Sequence, residues 1–159
     1  NTIKVALKQS PKPVETIEKM QQENAELKKK LAKFSEMQQA QVKEDLKSKL
    51  QDINGVPCII ELVDLDSADA VKNIAFQLKN ELSSLFMVLG VVIDGKPILS
   101  VMVSEDLSKS KNFHAGNIIR ELAKEIQGGG GGQAFFASAG GKNAQGIETA
   151  LAKAKELKF

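Results

Sequence analysis

Apolar positions along this chain repeat with two different periods, and the change of period divides it. From Ile17 the positions Ile17, Met20, Asn24, Leu27, Leu31 and Phe34 step by alternate threes and fours. That spacing is the a/d seam of a helix packed on another helix, with Ile17 at a. Asn24 falls on an a position, where a polar side chain fixes register and oligomer state at some cost in stability. After Phe34 the step fails at Gln38 and Gln41, then resumes at Val42, Leu46, Leu50 and Ile53. Such a phase shift fits either a stutter in one helix or a turn between two, near Ser35 to Ala40. The pattern predicts a helical arm over 13–54, as a coiled coil that dimerises or as a hairpin folded on itself. Upstream, Thr2 to Leu7 alternates like a short strand, and Ser10-Pro11-Lys12-Pro13 stops it, so residues 1–12 read as the tail of a preceding segment. Pro13, with Glu15 and Glu18 close behind, suits the first turn of the arm helix.

Asn54-Gly55 ends the arm, and strand-like runs follow. Val56 to Val63 is apolar and β-branched, as a buried strand requires. Ser67 can cap a helix whose apolar residues Val71, Ile74, Ala75, Leu78 and Leu82 share one face. Leu85 to Ile93 is a second strand, and Asp94-Gly95 signals a hairpin into a third, Pro97 to Val103. A polar, Lys-rich connection over Leu107 to Phe113 leads to HAGNIIRELAKEI, a helix with Ile118, Ile119, Leu122 and Ile126 on its buried face. Then come five glycines, the short apolar strand AFFASA, Gly140-Gly141, and a last helix with Ile147, Leu151, Ala154 and Leu157 inward. The fold class that results is α+β: an N-terminal helical arm, then a small α/β globular domain over 55–159 with a mixed sheet and a Gly-rich loop.

Composition narrows the function. The chain has 159 residues, of which 42% are hydrophobic, enough for one core plus an appendage. With no Trp or Tyr and only 7 Phe, nucleic-acid binding cannot rest mainly on aromatic stacking platforms. Cys58 stands alone in the apolar run VPCII and reads as a buried, inert thiol, so no internal disulfide is available. No apolar run approaches bilayer length and no signal-peptide pattern opens the chain, so a cytoplasmic protein without a membrane partner is expected. Because it starts at Asn1 rather than Met, it reads as the C-terminal piece of something longer. Charge is uneven: residues 1–50 carry +4, residues 51–108 carry −6 and residues 109–159 carry +4. A basic block marks either an anionic partner or a solvated helix face.

Catalytic chemistry is scarce. Ser138 lies in FASAG rather than in a nucleophile elbow, and His114, the only histidine, has no Cys or carboxylate cluster at ligand spacing. The glycine run lacks the Lys-Ser/Thr of a P-loop, while Asp64, Asp66 and Asp69 read as acids at a helix N-terminus rather than a calcium loop. No catalytic residue and no metal ligand is expected. Five consecutive glycines, Gly128 to Gly132, persist in a folded domain where the backbone must take special angles or be closely approached, although a flexible connector has the same composition. In the first case the backbone amides of Gly129, Gly130, Gly131 and Gly132, with Gln133, Gly140, Gly141 and the start of a helix near Asn143, could form an anion-binding concavity. Lys142 stands beside it, and Lys111 and Arg120 lie in neighbouring segments. A phosphate backbone is the natural ligand.

The block HAGNIIRELAKEIQGGGGGQAFFASAGG, followed by an amphipathic helix, resembles the C-terminal domain of alanyl-tRNA synthetases. The globular part of that domain is also found attached to DHH-family phosphoesterases. This resemblance implies a non-catalytic appendage that binds the outer corner of tRNA through the glycine segment. It also implies dimerisation through the arm at Ile17, Met20, Asn24, Leu27, Leu31 and Phe34, and a part in aminoacylation and the clearance of mischarged tRNA. The ATP, magnesium and zinc of a full-length synthetase would be used by upstream domains, leaving this fragment without a cofactor. One departure stands out: bacterial members commonly carry an arginine and a Pro-Asp pair after the glycines, whereas this chain has Gln133-Ala134-Phe135-Phe136. A charged contact is missing there, and Gln133 can only hydrogen-bond. Two other readings remain open, an accessory domain of a DHH phosphoesterase that holds a nucleotide phosphate, and a purely structural dimerisation piece.

Overall fold

One uninterrupted helix, α1 (Pro13–Ser48), opens the computed structural model, which describes residues 11–110 and 113–157. The strand-like segment Thr2 to Leu7 and the candidate Lys111 lie outside the described residues. By its internal contacts the chain divides into residues 1–38 and 39–159. In the first unit no turn interrupts the helix at Ser35 to Ala40, so the helical hairpin does not form there. The reason is local: SEMQQAQ contains neither Gly nor Pro, and Glu, Met, Gln and Ala are good helix formers. Along this helix Ile17, Met20, Leu27, Leu31 and Phe34 stand between 41% and 67% exposed.

In the second unit the end of α1 turns inward: Leu46 is buried and Val42 packs beside it. Lys43 and Lys47 both pair with Glu81, the first at 2.8 Å. The sequence pattern carried the arm on to Ile53, but the helix stops at Ser48 and Gln51–Ile53 is a short strand, β1. Asn54 and Gly55 take left-handed φ values of 55° and 79° and return the chain as β2 (Val56–Leu62), so Asn-Gly is a hairpin turn here. Helix α2 (Ala68–Glu81) starts at Ser67, whose side chain accepts the Ala70 N–H at 3.2 Å. Strands β3 (Phe86–Ile93) and β4 (Lys96–Val103) form the hairpin expected around Asp94-Gly95, with φ values of 49° and 73°.

Part of the Lys-rich connection is itself helical, as α3 (Glu105–Ser110). Helix α4 (Ala115–Leu122) is followed by β5 (Gly129–Gly132), β6 (Phe136–Gly140) and α5 (Gly146–Lys155). The six strands lie in the order β1-β2-β3-β4-β6-β5; β2 and β3 run parallel and the other neighbours antiparallel. Two apolar layers hold the sheet. On one side Ile119, Ile126, Ile147 and Leu151 pack against Val56, Phe86, Val88, Leu99 and Val101. On the other, Ile74, Leu78 and Leu46 pack against Ile59, Met87, Leu89 and Met102. Each such fully buried side chain contributes about 1.5–3 kcal/mol relative to exposure. Layers on both faces explain why β2 and β3 read as continuous apolar runs rather than alternating ones.

Candidate nucleic-acid interface

The glycine run is neither a linker nor an open loop: it forms the edge strand of the sheet. Gly129, Gly130, Gly131 and Gly132 pair with Gly140, Ala139, Ser138 and Ala137 in an antiparallel ladder. A Cβ on Gly128, Gly130 or Gly132 would lie 2.1, 2.1 or 2.3 Å from the carbonyl oxygen of Gly140, Ser138 or Phe136. On Gly129 or Gly131 it would meet nothing within 4 Å. The two strands therefore approach more closely than side chains allow, and every second glycine is a steric requirement. What comes close to the glycine backbone is the chain itself.

That pairing changes the chemistry expected of the segment. The Gly128 N–H donates to Ala123 O at 2.9 Å, Gly141 N–H to Pro97 O at 2.9 Å, and the Lys142 and Asn143 N–H groups to Ile126 O at 2.9 and 3.0 Å. These amides are consumed inside the fold, so no concavity of spare amides forms at Gly141 to Asn143. Helix α5 begins at Gly146 rather than near Asn143, and its first residue packs against Glu125, whose carbonyl oxygen would lie 1.9 Å from an added Cβ. The start of α4 is closed as well: Ala115 and Gly116 N–H groups donate to Ala134 O and Gln133 O at 2.8 and 3.2 Å. The His-Ala-Gly signature thus docks a helix on the β5–β6 turn, and Gly116 is needed because a Cβ would stand 2.9 Å from Gly132 O.

Two cationic side chains gather where the hairpin opens. An open groove of about 730 Å³ is lined by Lys96, Pro97, Ile98, Gln127, Gly128, Gly129, Gly140, Gly141 and Lys142. Its volume falls within the range of small-ligand sites, roughly 300–1,000 Å³. Of the candidates, Gly129, Gly140, Gly141 and Lys142 meet here. Gly130, Gly131, Gly132 and Gln133 continue along the edge strand and into its turn, away from the groove lining. Arg120 is exposed on α4, 3.4 Å from Asn117 Oδ1, and is not part of the groove lining. Lys96 and Gln127 escaped the sequence reading; the clue was Lys96's place after Asp94-Gly95, whose strand pairs with β6.

Gln127 has φ +49°. Its N–H donates to Lys124 O and the Gly128 N–H to Ala123 O, the paired bonds of a Schellman helix end. Glycine ordinarily fills that left-handed position, and another residue there costs roughly 1–2 kcal/mol. The two phenylalanines after Gln133 have a structural use. Phe136 packs on Phe76 of α2 with ring centroids 5.4 Å apart, and the ammonium groups of Lys72 and Lys79 lie 5.9 and 5.1 Å from the Phe136 and Phe135 rings. Where the charged contact common in the family is missing, an aromatic pair of Phe136 with Phe76 ties this segment to α2.

The charges around the groove are unequal. Lys153 pairs with Glu125, whose hydrogen bond raises the lysine pKa, and Lys124 pairs with Glu121 at 2.6 Å. The ammonium groups of Lys96 and Lys142 have no ion-pair or hydrogen-bond partner among the described residues. Among those residues no three His, Cys, Asp or Glu side chains come together as a metal site. Nor is any helix among them long and apolar enough to cross a membrane.

A family model described as the DHHA1 domain matches residues 55–158. The chain belongs to the DHHA1 domain family. This DHHA1 domain and its arm are 46% identical over 155 residues to an alanine–tRNA ligase of Christiangramia forsetii, covering 98% of this chain and 18% of that relative. An alanine–tRNA ligase of Parabacteroides distasonis is 39% identical over 155 residues, again covering 97% of this chain and 18% of the relative. The chain therefore spans less than a fifth of the length of the curated relatives it matches. Among solved structures it is similar in fold to the C-Ala domain from Aquifex aeolicus alanyl-tRNA synthetase, with TM-score 0.62 and 24% identity over 68% of this chain and 96% of that one. These likenesses uphold the resemblance to alanyl-tRNA synthetase C-terminal regions.

Proposed function

We propose that this DHHA1 domain is a non-catalytic tRNA-binding module of an alanine–tRNA ligase. It holds the outer corner of the tRNA by backbone and shape contacts and so assists aminoacylation and editing carried out elsewhere in the enzyme. The observation that carries this reading is the groove at the open end of the glycine hairpin, where Lys142 stands without a partner beside Gly129, Gly140 and Gly141. Alanine–tRNA ligases matched over nearly the whole chain support the choice of ligand. Gly130, Gly131, Gly132 and Gln133 supply the edge along which the RNA backbone runs, with Lys111 and Arg120 as further cations. Recognition through phosphates and 2′-hydroxyls needs no aromatic stack, in keeping with 7 Phe and no Trp or Tyr. The module itself carries no cofactor, acts in the cytoplasm, and leaves ATP, magnesium and zinc to the rest of the ligase.

Gel-shift titration of the chain with tRNA, a stem-only RNA, single-stranded DNA and a mononucleotide, at several salt concentrations, tests the assignment. Folded tRNA is expected to bind most tightly, and Lys142→Glu to weaken it without lowering the melting temperature. Equal affinity for all four ligands, or an unaffected variant at low salt, sinks the assignment; preference for the mononucleotide favours a phosphoesterase accessory domain instead.

The exposed stripe Ile17, Met20, Asn24, Leu27, Leu31 and Phe34 is the proposed seam of a homodimer. Its apolar members alternate at a and d, and Asn24 would pair with its counterpart to set a parallel register. Sedimentation of the full chain and of Leu27→Asp should show a dimer converted to monomer. A monomeric parent chain at high concentration removes the seam.

A further inference from the structure

The groove holds a second lysine that the tRNA contact at Lys142 leaves unused. Ile98 stands opposite Gly140 in the β4–β6 ladder, and the Gly141 N–H bond to Pro97 O carries the alignment one place further. Past the end of that ladder, Lys96 and Lys142 both line the groove. Like charges lining one groove repel, and no ion pair among the described residues neutralises either ammonium. Between and around them the lining is Pro97, Ile98 and glycine methylene, a floor without side-chain charge. Gln127, at the same groove, keeps a left-handed backbone that glycine would adopt without strain, in a chain whose next residue is glycine. Strain retained at a binding surface points to a use for the side chain.

We propose that Lys96 and Lys142 clamp one phosphodiester of the bound RNA strand between them, with the Gln127 amide hydrogen-bonding the adjoining ribose. The two ammonium groups relieve their mutual repulsion on a single anion, and the apolar floor accommodates the sugar. Gln127 offers both a donor and an acceptor, which matches a hydroxyl. The clamp rests on the tRNA-binding reading of the domain.

The test is fluorescence-anisotropy titration of the full chain with a labelled tRNA transcript over a series of salt concentrations, beside a thermal melt of each variant. Lys96→Ala should weaken binding by about three- to tenfold and reduce the slope of log affinity against log salt by about one, with unchanged melting. Lys96→Arg should keep both affinity and slope. Gln127→Gly should melt at a higher temperature than the parent yet bind more weakly, a pair of opposite signs that a merely structural glutamine cannot produce. If the parent binds tRNA while Lys96→Ala and Gln127→Gly bind with its affinity and slope, the clamp is overturned and the module reading survives. If the parent binds no tRNA at low salt, both fall together.

Discussion

Adding one methyl group at successive glycines distinguishes a paired strand from a linker. At Gly130 an alanine Cβ would stand 2.1 Å from Ser138 O and 2.4 Å from Ala139 Cα. Comfortable C···O approach is about 3.3 Å or more, so β5 must retreat by roughly 1 Å. Forced overpacking costs typically about 1–3 kcal/mol, and each ladder bond lost adds about 0.5–1.5 kcal/mol. Gly130→Ala should therefore destabilise by about 2–3 kcal/mol. Gly129 is one residue away, with nothing within 4 Å of the same methyl and φ outside the left-handed region. There alanine mainly restricts the unfolded chain and should stabilise by roughly 0.4–1 kcal/mol. The pair thus differs by about 3 kcal/mol, which for a chain of this size separates melting temperatures by roughly 6–12 °C. Thermal and urea unfolding of both variants measure it. Indistinguishable melts would mean that the glycines are not held against β6, and the edge-strand account would be refuted.

Two further predictions concern pH. Burial pushes the Cys58 thiol up to about 11, so at pH 8 native protein should react with a thiol reagent only as fast as it unfolds. Because the unfolded thiol ionises first, its contribution to stability is present below the unfolded pKa and lost as pH rises toward 11; Cys58→Ala should flatten that alkaline decline, and an unaltered decline would count against it. The Glu81 carboxyl is held below its usual value by hydrogen bonds from Lys43 and then Lys47. Its contribution is present above the unfolded pKa and fades as pH falls through the folded one, so Glu81→Gln should melt below the parent at neutral pH and converge with it in acid. A gap independent of pH would show that charge is not the cause.

The fold was legible where local chemistry and tertiary context agree. Ser67 capped its helix, Asp94-Gly95 made its hairpin, and the apolar runs from Val56, Leu85 and Pro97 became neighbouring strands. It was illegible where a residue type has two uses. Asn54-Gly55 stops a helix and also turns a hairpin, and only the pairing of Gln51 with Cys58 decides for the second. Five glycines carry no periodicity at all, so the strand they form comes from β6 and from α4 rather than from their own propensity. The candidate site was half legible for the same reason. Gly140, Gly141 and Lys142 adjoin the run in sequence, whereas Lys96 reaches the groove only through the β4–β6 register. The amides of Gly128, Gly141, Lys142 and Asn143 look free in the sequence yet are bonded inside the fold.

The charge balance sharpens what this surface can do. From Gln51 onward the chain sums to −2, an unpromising total for binding a polyanion. Yet five of its 13 acids, Glu61, Glu81, Glu105, Glu121 and Glu125, are engaged with Lys49, with Lys43 and Lys47, and with Lys109, Lys124 and Lys153. An approaching phosphate meets Lys96 and Lys142 at short range in the groove lining, while exposed charges beyond about 8–10 Å are largely screened. Two lysines neutralising phosphate would give a salt slope near −2, and a loss of about tenfold in affinity between 50 and 200 mM salt. A steeper slope requires further cations. Besides Lys111 and Arg120, the arm offers Lys28, Lys29, Lys30 and Lys33, which have no ion-pair partner among the described residues. Replacing those four by glutamine should then reduce the slope to that of the globular domain's own cations, while leaving the glycine groove and its Lys96 contribution intact; an unchanged slope removes the arm from the contact.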